Sequence, residues 1–206
     1  MVYICIRREN ICMNKAERTK QFIVEKTAPI FNTKGYAGTS LSDMTEATGL
    51  TKGSIYGNFT NKDDVALAAF DYNWKRIAGI TRQEMDKKST IKEKLLVYVE
   101  YDKIVNFPVP MGGCPVLNTA VEADDTHPLL KKKANEAFIA WKDKLTTLLE
   151  EGIRTKEFSA AINPEQIALT IIAMIEGGIM IAKLSGKPAY RNAIMLSMKK
   201  MIDELG

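Results

Sequence analysis

A run of hydrogen-bonding side chains lies near residue 50 of this 206-residue chain. Hydroxyl, ammonium, phenol and amide groups of this kind bind phosphate oxygens and the edges of bases. The run comprises Thr51, Lys52, Gly53, Ser54, Tyr56 and Asn58. Thr51 is a residue type that caps helices, and Ile55 and Phe59, four residues apart, would face the protein interior. The pattern therefore predicts a short helix with one apolar face and one face suited to nucleic acid.

The preceding residues 39–48 predict a partner helix. Leu41, Met44 and Ala47 recur every three residues and so share one helix face. Gly49 can adopt the left-handed conformation that ends a helix. Two short helices joined by a tight turn form a helix-turn-helix, whose second helix enters the major groove of DNA. Short helix pairs also occur inside protein cores, so the geometry alone leaves that alternative open.

Residues 15–70 resemble the TetR family of bacterial repressors. The matching residues are Gly35-Tyr36, Thr39-Ser40-Leu41, Thr48-Gly49-Leu50-Thr51-Lys52-Gly53-Ser54-Ile55-Tyr56, Phe59 and Lys62. We expect base or phosphate contacts from Lys52, Tyr56 and Asn58, and mainly phosphate contacts from Thr39, Ser40, Thr51 and Lys62. Gly57 and Asn58 depart from the family, which often has aromatic residues or histidine there. The base preference of family members therefore does not carry over.

The excess positive charge lies on the same segment. Residues 1–62 contain nine Lys or Arg and five Asp or Glu, whereas residues 63–206 contain twenty of each, so the first segment accounts for the net charge of +4. Contact with phosphates requires this sign of charge. The alternative is a chance fluctuation of four charges.

The rest of the chain predicts an all-α protein with two domains. We expect a disordered extension over residues 1–14, a three-helix DNA-binding domain over residues 15–62, and an effector-binding and dimerisation domain over residues 63–206. The expected helices span residues 16–34, 63–88, 90–106, 115–123, 128–155, 164–184 and 188–205, in addition to the helix-turn-helix pair. Pro29 should kink the first of these. Helix 63–88 would transmit a signal between the domains, or serve as a rigid spacer.

Aromatic, sulfur-containing and amide residues at helical spacing predict an effector pocket in the larger domain. They are Tyr98, Tyr101, Phe107, Met111, Cys114, Asn118, Phe138, Trp141 and Met174. The alternative for each of them is an ordinary position in the core.

Cys114 is a candidate for covalent chemistry. It precedes Pro115 at a predicted helix N-terminus, where unpaired N–H groups and the helix dipole lower a thiol pKa. Some TetR-like regulators that sense electrophiles or oxidants carry a similar stretch, matched here by Gly113, Cys114, Pro115 and Asn118. The hypothesis is a thiol sensor, and the alternative is a small residue lining a cavity.

The last two predicted helices favour a homodimer. Apolar residues fill two stripes of helix 164–184, and a helix that is apolar on two sides needs two partners. With helix 188–205 it would form a four-helix interface, which the family resemblance also implies. The expected interface residues are Ile171, Ile175, Gly178, Ile179, Ile194, Met198 and Met201. The alternative is a fully buried helix in a monomer.

The sequence carries no recognisable catalytic motif. Its three cysteines lack zinc-ligand spacing, His127 is the single histidine, and neither a phosphate-binding loop nor a G-x-S-x-G turn is present. We therefore predict no enzyme activity, no metal and no cofactor. The apolar run 167–182 is too short for a bilayer span and contains Glu176, so we expect no membrane partner. The cysteine pattern fits a reducing cytoplasm, and we expect a cytoplasmic protein.

Together these patterns predict a ligand-responsive transcriptional regulator. It would be a homodimeric repressor, released from a palindromic double-stranded DNA operator by a small molecule or a thiol-reactive species of unknown identity. The alternative is a helical ligand-binding or enzymatic domain with a vestigial helix-turn-helix. Activation in place of repression also stays open on sequence alone.

Overall fold

The computed structural model describes residues 14–100 and 112–206. Within these ranges the secondary structure is entirely helical, which confirms the predicted all-α class. The helices are α1 (Lys15–Gly38), α2 (Leu41–Thr48), α3 (Lys52–Tyr56), α4 (Lys62–Met85), α5 (Ile91–Val99), α6 (Pro115–Ala123), α7 (Pro128–Arg154), α8 (Pro164–Ser185) and α9 (Pro188–Asp203). The predicted extension up to residue 13 and three pocket candidates, Tyr101, Phe107 and Met111, lie outside the described residues.

Helix α1 begins at a reciprocal cap and ends in a separate turn. Asn14 accepts a hydrogen bond from the Glu17 N–H, and the Glu17 carboxylate accepts one from the Asn14 N–H. Helical dihedral angles continue through Pro29 and fail at Gly35, where φ is 74°. The break therefore lies at Gly35 and not at Pro29, because glycine alone adopts this conformation without steric cost.

The helix-turn-helix has the Gly49 turn and the Thr51 cap that its sequence predicts, together with a cap at Ser40 that was not predicted. Ser40 caps α2, Gly49 ends it with φ 66°, and Thr51 caps α3 by accepting from the Ser54 N–H at 3.2 Å. Apolar residues of α1 to α4 close a small core beneath the pair, comprising Ile23, Val24, Met44, Ile55, Phe59 and Val65. This core fixes α2 and α3 relative to each other.

Helix α4 connects that core to the rest of the molecule. Val65 belongs to the first core, whereas Met85, twenty residues on, belongs to the largest one. In between, the buried Asn73 side chain donates to the Ala28 carbonyl at 2.9 Å. Because one helix contributes to both cores, packing does not stop at residue 62, and the domain boundary stays a prediction.

The largest core lies among α5, α7, α8 and α9. Leu95, Leu145, Ile171 and Met198 are fully buried in it. Burying side chains of this size stabilises the fold by about 1.5–3 kcal/mol each.

Helix α8 is long and apolar enough to cross a membrane by length and composition, with 22 residues and a mean hydropathy of 1.9 over its most apolar 18. The helix is thus longer than the apolar run 167–182, which we expected to be too short to cross a bilayer. It packs against α7 and α9, and 28% of this apolar window is buried within the chain.

Candidate nucleic-acid interface and ligand cavity

The polar face of α3 lies at the surface. Thr51, Lys52 and Gly53 are exposed, while Ser54 and Tyr56 are half-buried. The opposite face holds the fully buried Ile55. Because the core fixes Ile55, the polar side chains must point outward, where a DNA groove can receive them.

The residues that flank α3 are more constrained. The Asn58 side-chain amide donates to the Ser54 carbonyl at 2.8 Å, which leaves its oxygen as an acceptor. The Lys62 ammonium lies 4.3 Å from the centre of the Tyr36 ring. Both side chains are half-buried, so each presents only part of its surface to a ligand.

Thr39 lies inside the protein and not at the surface, where we expected it to contact phosphate. Its side chain is fully buried, and its hydroxyl donates to the Gly35 carbonyl at 2.6 Å. It therefore closes the turn after Gly35 and cannot bind a phosphate through its side chain. Its neighbour Ser40 is exposed, although its hydroxyl caps α2 and donates to Asp43.

A polar cluster joins α1 and α4 to the start of α7. The Tyr36 hydroxyl donates to the Asp63 carboxylate, and the His127 Nε2 lies 3.6 Å from the same carboxylate. This hydrogen bond raises the pKa of Tyr36 to about 12 and lowers the pKa of Asp63. His127 Nδ1 also accepts from the Leu130 N–H, so His127 caps α7.

Glu122 of α6 holds the turn that follows Gly35. Its carboxylate accepts from the N–H of Tyr36 at 2.7 Å and from the N–H of Ala37 at 2.8 Å. By accepting hydrogen bonds from two backbone N–H groups, the carboxylate pairs donors that otherwise have no partner at the start of a helical turn. Helix α6 is thereby tied directly to the segment leading into the helix-turn-helix, a link that the sequence did not suggest.

A second link joins α1 to the residues just before α6. Asn118 donates to the carbonyls of Asn32 and Gly112, both at 3.0 Å, and the Asn32 side chain donates to the Gly113 carbonyl at 3.0 Å. Gly112 has φ 101°, and an added Cβ there would lie 2.5 Å from the Asn32 carbonyl oxygen. The backbone of residues 112–113 therefore lies directly against α1, with no room for a side chain at Gly112.

The far side of residues 112–113 faces a large cavity of about 960 Å³. Helices α4, α5, α7, α8 and α9 form its walls together with the segment before α6. The described lining residues are Trp74, Ile77, Ala78, Thr81, Arg82, Met85, Asp86, Tyr98, Gly112, Gly113, Cys114, Ala140, Trp141, Lys144, Ile175, Ile179, Ala182, Lys183, Pro188 and Arg191. The volume falls in the range of small-molecule sites.

Three of the predicted pocket residues line this cavity: Tyr98, Cys114 and Trp141. Phe138 and Met174 instead pack, half-buried, against the cores, and Asn118 is engaged with α1. Helix α4 also contributes a wall of the cavity, through Trp74 and Ile77, which was not predicted from the sequence. Their spacing of three residues was visible, but periodicity does not say whether an apolar face meets a core or a cavity.

The structure contradicts the expected activation of Cys114. Burial raises the pKa of its thiol, and the neighbouring Glu176 carboxylate raises it further, which outweighs the lowering by backbone N–H groups of α6. Burial likewise raises the pKa of Glu176 to about 7. A buried thiol beside a carboxyl group is a poor nucleophile, so the geometry gives no support to a thiol sensor.

The residues expected at the dimer interface lie mostly inside the monomer. Ile171, Ile175, Gly178 and Met198 are buried, and Ile179, Ile194 and Met201 are half-buried against the largest core or the cavity. The outer faces of α8 and α9 carry other apolar residues. These are Leu169, Met180, Leu184, Tyr190 and Leu196, all substantially exposed. The most apolar stripe of α8 thus faces the chain's own core, and the identity of the dimer-interface residues stays a prediction.

No group of three or more His, Cys, Asp or Glu side chains within residues 14–100 and 112–206 is arranged to hold a metal ion.

The helix-turn-helix and the cavity-bearing helical domain define a ligand-regulated DNA-binding protein, and comparisons with known proteins agree. A family model for "Bacterial regulatory proteins, tetR family" matches residues 23–69, and one for "Tetracyclin repressor-like, C-terminal domain" matches residues 93–198.

Solved structures and curated relatives extend this likeness over most of the chain. A TetR-family regulator from Cytophaga hutchinsonii is 48% identical with a TM-score of 0.90, covering 94% of this chain and 97% of that one. A TetR regulator from Chloroflexus aurantiacus is 33% identical with a TM-score of 0.85, covering 93% and 98%. The transcriptional repressor DhaR of Mycobacterium sp. is 22% identical, over 80% of this chain and 82% of its own.

The chain therefore belongs to the TetR family of bacterial transcriptional regulators. Regulators of this family bind DNA operators and small-molecule effectors and form dimers, and repression that responds to a ligand is typical of them.

Proposed function

We propose that this protein is a homodimeric repressor that leaves a palindromic operator when a small molecule occupies the cavity. The observation that carries this proposal is the outward polar face of α3, held by the buried Ile55 on the segment with the excess positive charge. Its working place would be the cytoplasm, where operator DNA is found.

The DNA contacts follow from exposure. Lys52 and Tyr56 on α3 would reach base edges or phosphates, with Asn58 offering an acceptor. Backbone N–H groups at Gly53 and the hydroxyls of Thr51, Ser54 and Ser40 would bind phosphates, and Lys62 would add charge. Thr39 keeps a supporting role through its bond to Gly35.

Dimerisation would cover the outer apolar faces of α8 and α9. Leu184 and Leu196 are 86% and 67% exposed in the single chain, and Met180 and Leu169 continue the α8 face. Contiguous exposed apolar surface of this kind marks an interaction site. Two copies related by a two-fold axis would bury it as a four-helix bundle and place two α3 helices on one face of DNA.

Release would use the two links between α6 and α1. Residues 112–113 touch the cavity on one side and Asn32 on the other, while Glu122 holds the turn before α2. A ligand that shifts this segment would rotate α1 and change the distance between the α3 helices of the dimer. The ligand thereby favours a conformation that misfits the operator.

The test is fluorescence anisotropy of the purified protein with DNA from upstream of its own gene, across a salt series. We expect Lys52→Ala to weaken binding roughly tenfold and to reduce the salt dependence by about one counterion. The matched control is Lys132→Ala on α7, an exposed lysine outside the helix-turn-helix, which should bind like the parent. The proposal fails if a selection from random DNA yields no binding site.

A further inference from the structure

The charges around the cavity are strongly biased toward one sign. Its described lining contains four cationic side chains and one acidic one: Arg82, Lys144, Lys183, Arg191 and Asp86. Asp86 lies 3.9 Å from Arg82, so the single carboxylate is already offset. The described lining thus carries an excess of positive charge.

The nearby buried carboxyl group does little to offset this charge. Glu176 lies beside Cys114 in the cavity wall, and burial raises its pKa to about 7. A carboxyl group in this condition is substantially protonated near neutral pH and contributes only part of a negative charge.

The remaining walls are apolar and partly aromatic. Trp74, Trp141 and Tyr98 form one continuous aromatic group, because each of the other two rings lies 6.1 Å from Trp141. Ile175 and Ile179 follow one another at four-residue spacing on α8, and Lys183 is the next residue in that line. Trp141 is 8% exposed, and its indole N–H has no hydrogen-bond partner in the described chain.

Both lysines of the described lining are placed where they can bind an anion. Lys144 is one helical turn beyond Trp141 on α7, and no described carboxylate lies within ion-pair distance of it. Lys183 donates to the Gly112 carbonyl, a neutral acceptor that a carboxylate can replace with a stronger, charge-assisted bond.

We propose that the cavity takes an amphipathic organic anion, whose apolar chain or ring lies along the aromatic wall and whose carboxylate or equivalent group binds Lys183 or Lys144. This rests on the proposed function, since it names the effector class of the same cavity. The anion would draw Lys183 away from Gly112 and so remove the contact that ties residue 112 to α8, which would leave this segment free to shift relative to α1. Ligand charge would then determine release from DNA as well as affinity.

The test uses three probes with the same ten-carbon chain: decanoate, 1-decanol and decyltrimethylammonium, each below its aggregation concentration. Both tryptophans of the chain line the cavity, so intrinsic tryptophan fluorescence reports binding to the full-length protein. We expect decanoate to bind roughly tenfold more tightly than 1-decanol, as one charge-assisted bond would give, and the cation to bind most weakly.

Charge-removing variants identify the anchoring lysine. We expect Lys183→Gln or Lys144→Gln to abolish the preference for decanoate over 1-decanol, while Lys132→Gln preserves it. Circular dichroism would verify that each variant is folded.

The proposal is overturned if none of the three probes binds, if the cation or the alcohol binds as tightly as decanoate, or if the preference survives both substitutions. Operator binding by the ligand-free protein is measured in parallel. A protein that binds its operator but shows no anion preference refutes only this inference, whereas one that binds no DNA refutes the proposed function.

Discussion

At the scale of single residues, the most unusual group is Glu176. Both of its carboxyl oxygens are buried, and the polar group beside them is the thiol of Cys114. Burial raises its pKa from 4.5 to about 7. Because a buried charge is costly, the folded protein favours the protonated form, and the thiol of Cys114 beside it stays protonated for the same reason.

Glu176 should therefore make stability depend on pH. Its pKa is higher in the folded than in the unfolded chain, so its contribution is fully present below pH 4.5 and is lost as pH rises through about 7. We expect the free energy of unfolding of the parent protein to fall by about 3 kcal/mol per chain more than that of Glu176→Gln over this range. Urea denaturation at fixed protein concentration measures the difference.

The exposed Glu150 provides the control for this experiment. Glu150→Gln should keep the pH dependence of the parent protein. Parallel stability curves for the parent and Glu176→Gln would show that Glu176 is ionised in both the folded and the unfolded chain.

At the scale of elements, the turn after Gly35 determines how α1 leads into the helix-turn-helix. Gly35 combines φ 74° with ψ 179°, and an added Cβ would lie 2.4 Å from a Glu122 carboxylate oxygen. The turn therefore requires glycine at residue 35, both for its backbone conformation and for the hydrogen bonds that Glu122 of α6 accepts there.

Gly35→Ala should destabilise the fold by about 1–3 kcal/mol, because alanine strains this backbone and displaces Glu122. Gly79→Ala is the matched control, since Gly79 lies inside α4 and an added Cβ there meets no atom within 4 Å. It should be neutral or stabilising by about 0.5–1 kcal/mol. Thermal unfolding of both variants at one concentration makes the comparison, and equal losses would exclude a special role for Gly35.

The outer faces of α8 and α9 lead to a second prediction at this scale. Leu196→Glu should weaken self-association at least roughly a hundredfold, since a two-fold interface buries the new charge twice. Analytical ultracentrifugation measures the dimer fraction. Leu129→Glu, at a 52% exposed leucine on α7, is expected to leave it unchanged. A Leu196→Glu protein that stays fully dimeric would place the interface elsewhere.

At the scale of the whole molecule, two contacts connect the cavity to the DNA-binding segment. Asn118 binds the carbonyls of Asn32 and Gly112 together, and Glu122 binds the turn at Tyr36. The long helix α4 also spans both cores. We therefore propose that a signal from the cavity travels through α6 as well as through α4, the helix that we expected from the sequence to be the transmitter.

Asn118→Ala should loosen α1 without unfolding the protein. Two carbonyls lose a donor, which costs about 1–3 kcal/mol locally. We expect faster amide hydrogen exchange in residues 30–38, measured by mass spectrometry, and a smaller effect of ligand on operator affinity. Asn135→Ala, at an exposed asparagine of α7, should exchange like the parent protein. Unchanged protection in residues 30–38 would remove Asn118 from the path.

The local structure of the chain follows from residues that are close together in the sequence. Caps such as Ser40, Thr51 and Asn61, the turn at Gly49 and the spacing of Leu41 and Met44 act within a few residues, so helix positions and the DNA-binding segment could be predicted. The family resemblance and the charge partition depended on the same local residues.

The partner that each helix face meets depends instead on long-range packing. Periodicity shows that α8 has two apolar stripes, but packing alone shows that Ile171 faces the core and Leu184 the surface. Likewise, Cys114 lies at a helix N-terminus as predicted, yet burial beside Glu176 reverses the expected shift of its pKa. Burial and long-range charge depend on residues distant in sequence, which local patterns do not encode.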